Sequence, residues 1–368
     1  MSDISPERGA RNLLENCAKA VAGDRLLIAY EPSDFGYFDA DAVGVVTRAA
    51  LSMGLVVDAV DVGFNPGNPH LSPKLLQRFE AADVILFLAR LGDQLRFFDM
   101  PNGKKIIVSF ALNKELFGSG FANGHHDAFL EIKSGINAVL DRASEVRITC
   151  PLGTDVRGRP EMNLEPDGDT TILRFPMSVH TPTPAHSFSG RVAMTFLTGT
   201  GSKYYDDYTI EFDEPVFAVM ENGRLQHFEG APKDVARAEA QYDRVSSLFG
   251  IDRDFVHSWH AGIHPGCSYP WDMRENWERW GGAAFGNPRV LHFHTCGAYA
   301  PGEISWNVFD PTIDIDGVRY WERGVFHADR LPGGAVILAK YPCAGALFAH
   351  PEADIGIRKE SLLNAAMA

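Results

Sequence analysis

Two short apolar runs, Arg25-Leu26-Leu27-Ile28-Ala29-Tyr30 and Leu55-Val56-Val57-Asp58-Ala59-Val60, flank a stretch of helical period from Asp39 to Met53 that stops at Gly54. An apolar run without alternation reads as a strand buried on both faces. A glycine just past a helix supplies the left-handed residue that ends it. Strand, helix and strand in that order require a parallel pair joined by a right-handed crossover.

The pattern continues on both sides. Arg11–Val21 has helical spacing, and helices are expected over Leu71–Ala81 and about Ala128–Ala143. Strands are expected over Val84–Leu88, Lys105–Phe110 and Glu145–Thr149. Together these predict a doubly wound, mostly parallel sheet, an α/β N-terminal domain over residues 1–150. No G-x-G-x-x-G follows the first strand and no P-loop is present, so dinucleotide and nucleotide binding find no support.

After Pro151 glycine, proline, aspartate and aromatic residues become dense. Strands are expected over Arg191–Thr198, Tyr208–Phe212 and Val216–Met220, with a hairpin turn at Asn222-Gly223. One helix, Ala231–Leu248, interrupts them, and the remainder to about Ala349 reads as strands and turned loops. The expected second domain, residues 151–368, is a β-rich α+β unit. Lys203-Tyr204-Tyr205-Asp206-Asp207 reads as a surface turn.

Charge and cysteine usage narrow the classes. With 34 basic and 48 acidic residues the formal charge is -14, which disfavours nucleic acid and anionic membranes as partners. No apolar run approaches the ~20 residues that span a bilayer, and the start carries no secretory signature. The five cysteines are widely spaced with no C-x-x-C, which fits a reducing cytoplasm rather than a disulfide framework.

Candidate chemistry concentrates late in the chain. All six tryptophans lie between Trp259 and Trp321, and His257, His260, His264, His292 and His294 lie close together. Side chains alternate faces along a strand. In Val290–Thr295 both His292 and His294 therefore share one face. In Glu303–Val308 the residues Glu303, Ser305 and Asn307 oppose Ile304, Trp306 and Val308. Imidazoles with a carboxylate suit one divalent zinc, iron or manganese ion, with Glu303 the nearest carboxylate in sequence. His180 and His186 flank a Thr-Pro-Thr-Pro segment and are candidate acid or base groups. Arg90 and Asp93 follow the Val84–Leu88 strand, where open α/β sheets bind ligands. His125-His126-Asp127 is a weaker metal candidate, because adjacent side chains point apart.

Four segments in chain order, Ala22–Ile28, Arg147–Asp155, Cys296–Pro301 and Ile304–Asp310, resemble the aminopeptidase T/S-type metallopeptidases and their relatives, the 2,5-dihydroxypyridine 5,6-dioxygenases. Ala22-Gly23-Asp24-Arg25-Leu26-Leu27-Ile28 is similar to that family's Gly-Glu-x-Val-Leu-Ile opening. Arg147–Asp155 resembles its strand-Gly-Thr-Asp step between domains, and Cys296–Pro301 its Leu-Gly-x-x-Tyr-Pro segment. Ile304–Asp310 resembles its Ile-His-Trp-Asp-Leu-Ile-x-Asp strand. The resemblance implies a metal-dependent enzyme on a small-molecule substrate, assembled as a homo-oligomer. The departures are specific. Pro182-Thr183-Pro184-Ala185 lacks the peptidase glutamate, and the family's His-x-Asp ligand pair falls on Ser305 and Asn307. His260 matches a histidine ligand of the dioxygenases.

The combined expectation is a relocated site. His260, His292 and His294 hold the metal, with Glu303 completing it or acting as a base. Arg90, Asp93, Ser305, Trp306 and Asn307 contact substrate. A mononuclear iron(II) ring-cleaving dioxygenase on a small aromatic or N-heterocyclic compound is the favoured function. A metal-dependent hydrolase using an activated water is the alternative, and a metal-free, non-catalytic relative is the third.

Overall fold

The computed structural model describes residues 4–66, 71–96, 100, 103–162, 172–199, 205–297 and 301–358. Residues 203–204 of the expected surface turn and 298–300 of the Cys296–Pro301 segment lie outside the described residues. The chain forms two compact units. The first is Met1–Leu130 with Thr170–Ser178 and Lys340–Pro351; the second is Glu131–Asp169, Val179–Ala339 and Glu352–Ala368.

The first unit is built on strands β1 (Arg25–Tyr30), β2 (Val56–Asp61), β3 (Val84–Leu88) and β4 (Lys105–Ser109). Three short strands follow: β5 (Val146–Thr149), β6 (Asp155–Gly158) and β7 (Leu173–Phe175). Only β7 returns to the first sheet, which is parallel throughout in the order β2-β1-β3-β4-β7. Every residue of β3 is buried, as its unbroken apolar run requires. The helix Asp41–Ser52 joins β1 to β2 and Pro73–Ala81 joins β2 to β3, so the α/β reading of the sequence holds.

Two local expectations are corrected. Arg11–Val21 is not one helix. An α-helix, Pro6–Arg11, opens into a wider π turn over Asn12–Cys17. The Asn12 amide is buried there and donates to the carbonyls of Ala122 and Gly124. The strand Val146–Thr149 does not extend the parallel sheet; it pairs antiparallel with β6 in the second one. Its alternation of buried Val146 and Ile148 with half-buried Arg147 and Thr149 suits a sheet covered on one face.

The second unit continues with β8 (Thr183–Pro184), β9 (Ser189–Gly199), β10 (Ile210–Glu221), β11 (Arg224–Glu229) and β12 (Val256–Ala261). Then come β13 (Val290–Thr295), β14 (Ile304–Phe309), β15 (Thr312–Ile315), β16 (Val318–Glu322) and β17 (Val325–Phe326). The sheet runs β17-β16-β15-β5-β6-β9-β14-β13-β12-β8, with β10 and β11 branching from β9. The two strands expected around residues 208–220 are one strand. Its register against β9 slips between Glu211 and Val216, where Pro215 has no N–H to give. Asn222 and Gly223 both have positive φ, as a two-residue hairpin turn demands.

The helix Pro232–Phe249 forms where expected. Three others break the expectation of strands and loops up to residue 349: Trp277–Ala284, Gly334–Lys340 and Pro342–Ala349. The first is started by Asn276, whose side chain accepts from the Arg279 N–H. Gly334–Lys340 is a run of small and apolar residues with almost no polar period to betray it. Among the described residues no helix is long and apolar enough to cross a membrane.

One face of the second sheet is core. Trp259, Phe293 and Trp306 form a row across β12, β13 and β14, all fully buried. The Trp306 indole N–H donates to the Tyr242 hydroxyl at 2.5 Å, which itself contacts Thr295.

Candidate metal centre

The opposite face of those strands is polar. Alternation puts His260, His292 and Asn307 in one cross-strand row and Ser258, His294 and Ser305 in the next. Thus β12 and β13 supply three imidazoles to a single patch. One ligand nitrogen from each of His260, His292 and His294 lies within 4.8 Å of the others. The Nε2 atoms of His260 and His292 are 2.5 Å apart, and those of His260 and His294 are 3.3 Å apart. His260 and His292 are buried and His294 is half-buried.

The outer nitrogens fix which lone pairs face inward. His260 donates from Nδ1 to the His180 carbonyl at 3.3 Å, and that oxygen can only accept. His294 donates from Nδ1 to the Glu303 carboxylate. In neutral rings, both Nε2 atoms are then bare acceptors pointing at one another. Two lone pairs at 3.3 Å repel unless a proton or a cation lies between them. Three convergent imidazoles with a carboxylate bonded behind one of them are the donor arrangement of a metal-binding site.

The remaining candidates fall into distinct places. Glu303 is buried and sits behind His294 rather than among the three convergent nitrogens. His180 is not arranged as an acid or base, a correction to the expectation from sequence. Its Nδ1–H donates to the Thr181 carbonyl at 2.7 Å and its Nε2 accepts from the Ala261 N–H at 3.0 Å. Burial lowers its pKa to about 4, keeping the ring neutral. His180 therefore ties β12 down and presents its carbonyl to His260. His186 stacks on Phe255, with ring centroids 5.5 Å apart. Ser305 and Asn307 share the histidine face, whereas Trp306 faces the core and is removed from the set that can touch a ligand there.

Arg90 and Asp93 belong to the first unit, and their charges are taken up within it. Arg90 grips Glu31 through Nε and Nη2, with the Tyr37 and Phe64 rings beside its guanidinium. Asp93 accepts from Arg96 at 2.9 Å. His264 accepts the Gly266 N–H within its own turn, and His257 contacts Ser258. His125 packs against Tyr341 and His126 is buried against Phe175, so that pair forms no ligand cluster. All five cysteines are free, and burial drives the thiols of Cys267 and Cys296 upward.

An aromatic wall stands on the histidine face, as the tryptophans and phenylalanines of the sequence led us to expect, although its members Phe285, Trp280 and Phe196 were not singled out there. The Phe285 ring lies 4.4 Å from that of His292, Trp280 packs on Phe285 at 5.1 Å, and Phe196 packs on Trp280 at 5.6 Å. The density of aromatic residues between positions 259 and 321 signalled Trp280 and Phe285 but not Phe196.

No family model matches the chain, and no curated protein matches it in sequence. Solved structures do. The 2,5-dihydroxypyridine dioxygenase from Pseudomonas putida KT2440 is 13% identical with a TM-score of 0.55, over 90% of this chain and 97% of its own. Wild-type AmpT from Thermus thermophilus is 11% identical with a TM-score of 0.49, over 87% of this chain and 98% of its own. The likeness to the dioxygenase establishes a common fold, the one that the sequence motifs led us to expect.

Proposed function

We propose that this chain is a mononuclear metalloenzyme in which His260, His292 and His294 bind one divalent ion, iron(II), and that it cleaves a small aromatic or N-heterocyclic ring with dioxygen. The observation that carries the metal assignment is the convergence of the three imidazole nitrogens within 4.8 Å. The dioxygenase with the same fold supports the reaction class.

His260, His292 and His294 would hold the ion, which would supply open positions for a substrate and dioxygen. The protein's own residues prepare that place. The His180 carbonyl and the Glu303 carboxylate hold the rings of His260 and His294 with their Nε2 atoms inward. Phe285 and Trp280 cover the His292 side with apolar surface, which excludes water and accepts a flat ring. A small-molecule substrate and a cytoplasmic location belong to the same proposal; the five free cysteines support the latter.

A hydrolase is the second reading, because one observation favours it. The convergent set is all imidazole, with Glu303 outside it. Three neutral histidines and an open position also form the donor set of zinc sites that acidify water.

Elemental analysis of untagged protein, beside a His292→Ala/His294→Ala variant, tests the centre. About one equivalent of metal in the wild type, lost in the variant, is expected. No metal in either, with no uptake on reconstitution, would sink both enzymatic readings. Oxygen uptake with hydroxylated pyridines and phenols then separates the two, since turnover without oxygen belongs to the hydrolase alone.

A further inference from the structure

Asn307 stands beside His292 on the histidine face of the sheet, one strand over and directly opposite it in register. Its side chain is buried, with 2% of the residue exposed. Neither Oδ1 nor Nδ2 has a hydrogen-bond partner. A buried amide left without partners keeps the full desolvation penalty of its donor and acceptor, and two unsatisfied atoms on one side chain seldom persist without a reason. Leucine would fill this place at no such cost. The same face carries flat apolar surface, with Phe285 against His292 and Phe196 on the strand beyond β14.

We infer that Asn307 is the specificity-determining residue of the site, and that it reads the edge of a planar amide, a primary carboxamide or a lactam, on an aromatic body. The inference rests on the metal-centre reading for the location of the ligand and adds the ligand's chemistry. An asparagine offers a donor and an acceptor side by side. The complementary edge carries an acceptor and a donor in the same spacing, which an amide supplies and a carboxylate does not. A carboxylate would set its lone pairs against Oδ1, leaving that atom unpaired. A ketone would satisfy Nδ2 alone. Discrimination of this kind is strong because the wrong ligand leaves a buried polar group without a partner.

The test is calorimetric titration of the protein as purified with benzamide and with acetophenone, which has the same outline with a methyl in place of the amide NH2. Benzoate serves as the third probe, and metal content is measured on the same samples. Benzamide is expected to bind the wild type roughly tenfold or more tightly than either analogue. In Asn307→Leu the preference is expected to fall to about twofold or less, with the metal retained. Asn307→Asp, which keeps the acceptor and loses the donor, is expected to weaken both neutral probes while still favouring benzamide over acetophenone, because the amide N–H still finds a carboxylate oxygen. Equal binding of benzamide and acetophenone by the wild type overturns the inference without reference to any variant. So does failure of benzamide to bind at millimolar concentration, or a preference that survives in Asn307→Leu. Loss of metal in Asn307→Leu with no benzamide preference in the wild type would make Asn307 a ligand of the ion and overturn its role as a reader. A wild type that prefers benzamide but holds no metal overturns the metal centre and leaves the amide site standing. One that holds metal without the preference does the reverse.

Discussion

Glu303 accepts the Nδ1–H of His294, and that one contact turns the other ring nitrogen toward His260, 3.3 Å away. Removing the charge while keeping the shape isolates the carboxylate's contribution. Glu303→Gln is expected to weaken metal affinity roughly 10–100-fold, the usual cost of losing a carboxylate behind a ligating histidine. Competition against a chelator measures it; an unchanged affinity would mean that the Glu303 charge adds nothing to the donor strength of His294.

His180 acts on the site through its backbone carbonyl and on the fold through its ring. His180→Leu strands the Ala261 N–H, which now donates to Nε2 at 3.0 Å. A loss of about 1–3 kcal/mol of stability in urea is expected. Metal bound per folded molecule should hold steady, because the carbonyl that takes the His260 Nδ1–H is still present. Metal lost with no change in stability would reverse the assignment.

The Glu31–Arg90 pair is buried on both sides, at 0% and 4% side-chain exposure. Arg90→Met leaves the carboxylate buried alone and should cost about 3–5 kcal/mol, whereas Glu31→Leu/Arg90→Met should recover most of it. Chemical denaturation of the two single variants and the double variant gives the coupling. A double variant as unstable as the sum of the singles would deny that the pair acts as a unit.

His126 is buried, and burial lowers its pKa from 6.5 to about 4. The unfolded chain therefore takes up a proton at a higher pH than the folded one does. The resulting stability is fully present above pH 6.5 and drains away as pH falls toward 4. The loss is on the order of 3 kcal/mol at about 1.4 kcal/mol per unit. His126→Phe should flatten that acid limb. Denaturation midpoints at pH 7 and pH 4.5 provide the comparison, and an equally steep limb in the variant would place the titrating group elsewhere.

Much of the polar face was legible in the sequence. His292 and His294 share a face because strand parity is a local property of two residues, and the same parity grouped Ser305 with Asn307. The first sheet was legible for a similar reason: β3 is an unbroken apolar run, and only a doubly covered strand can bury it. Helices lacking a polar period, such as Gly334–Lys340, gave no comparable signal.

Tertiary structure decided what lies beside what. That β12 pairs with β13 so that His260 stands opposite His292 is a matter of register between segments far apart in the chain. Register is set by the packing of the Trp259, Phe293 and Trp306 row on the other face of the sheet, which no local pattern encodes. The fold likewise sent β5 into the second sheet and gave the edge of the first to β7. It placed Glu303 behind His294 rather than among the inward nitrogens, and it spent both ring nitrogens of His180 on backbone. The sequence by itself determined which residues could share a face. Only long-range strand pairing, fixed by burial of the aromatic core, brought His260 of one strand against His292 and His294 of another.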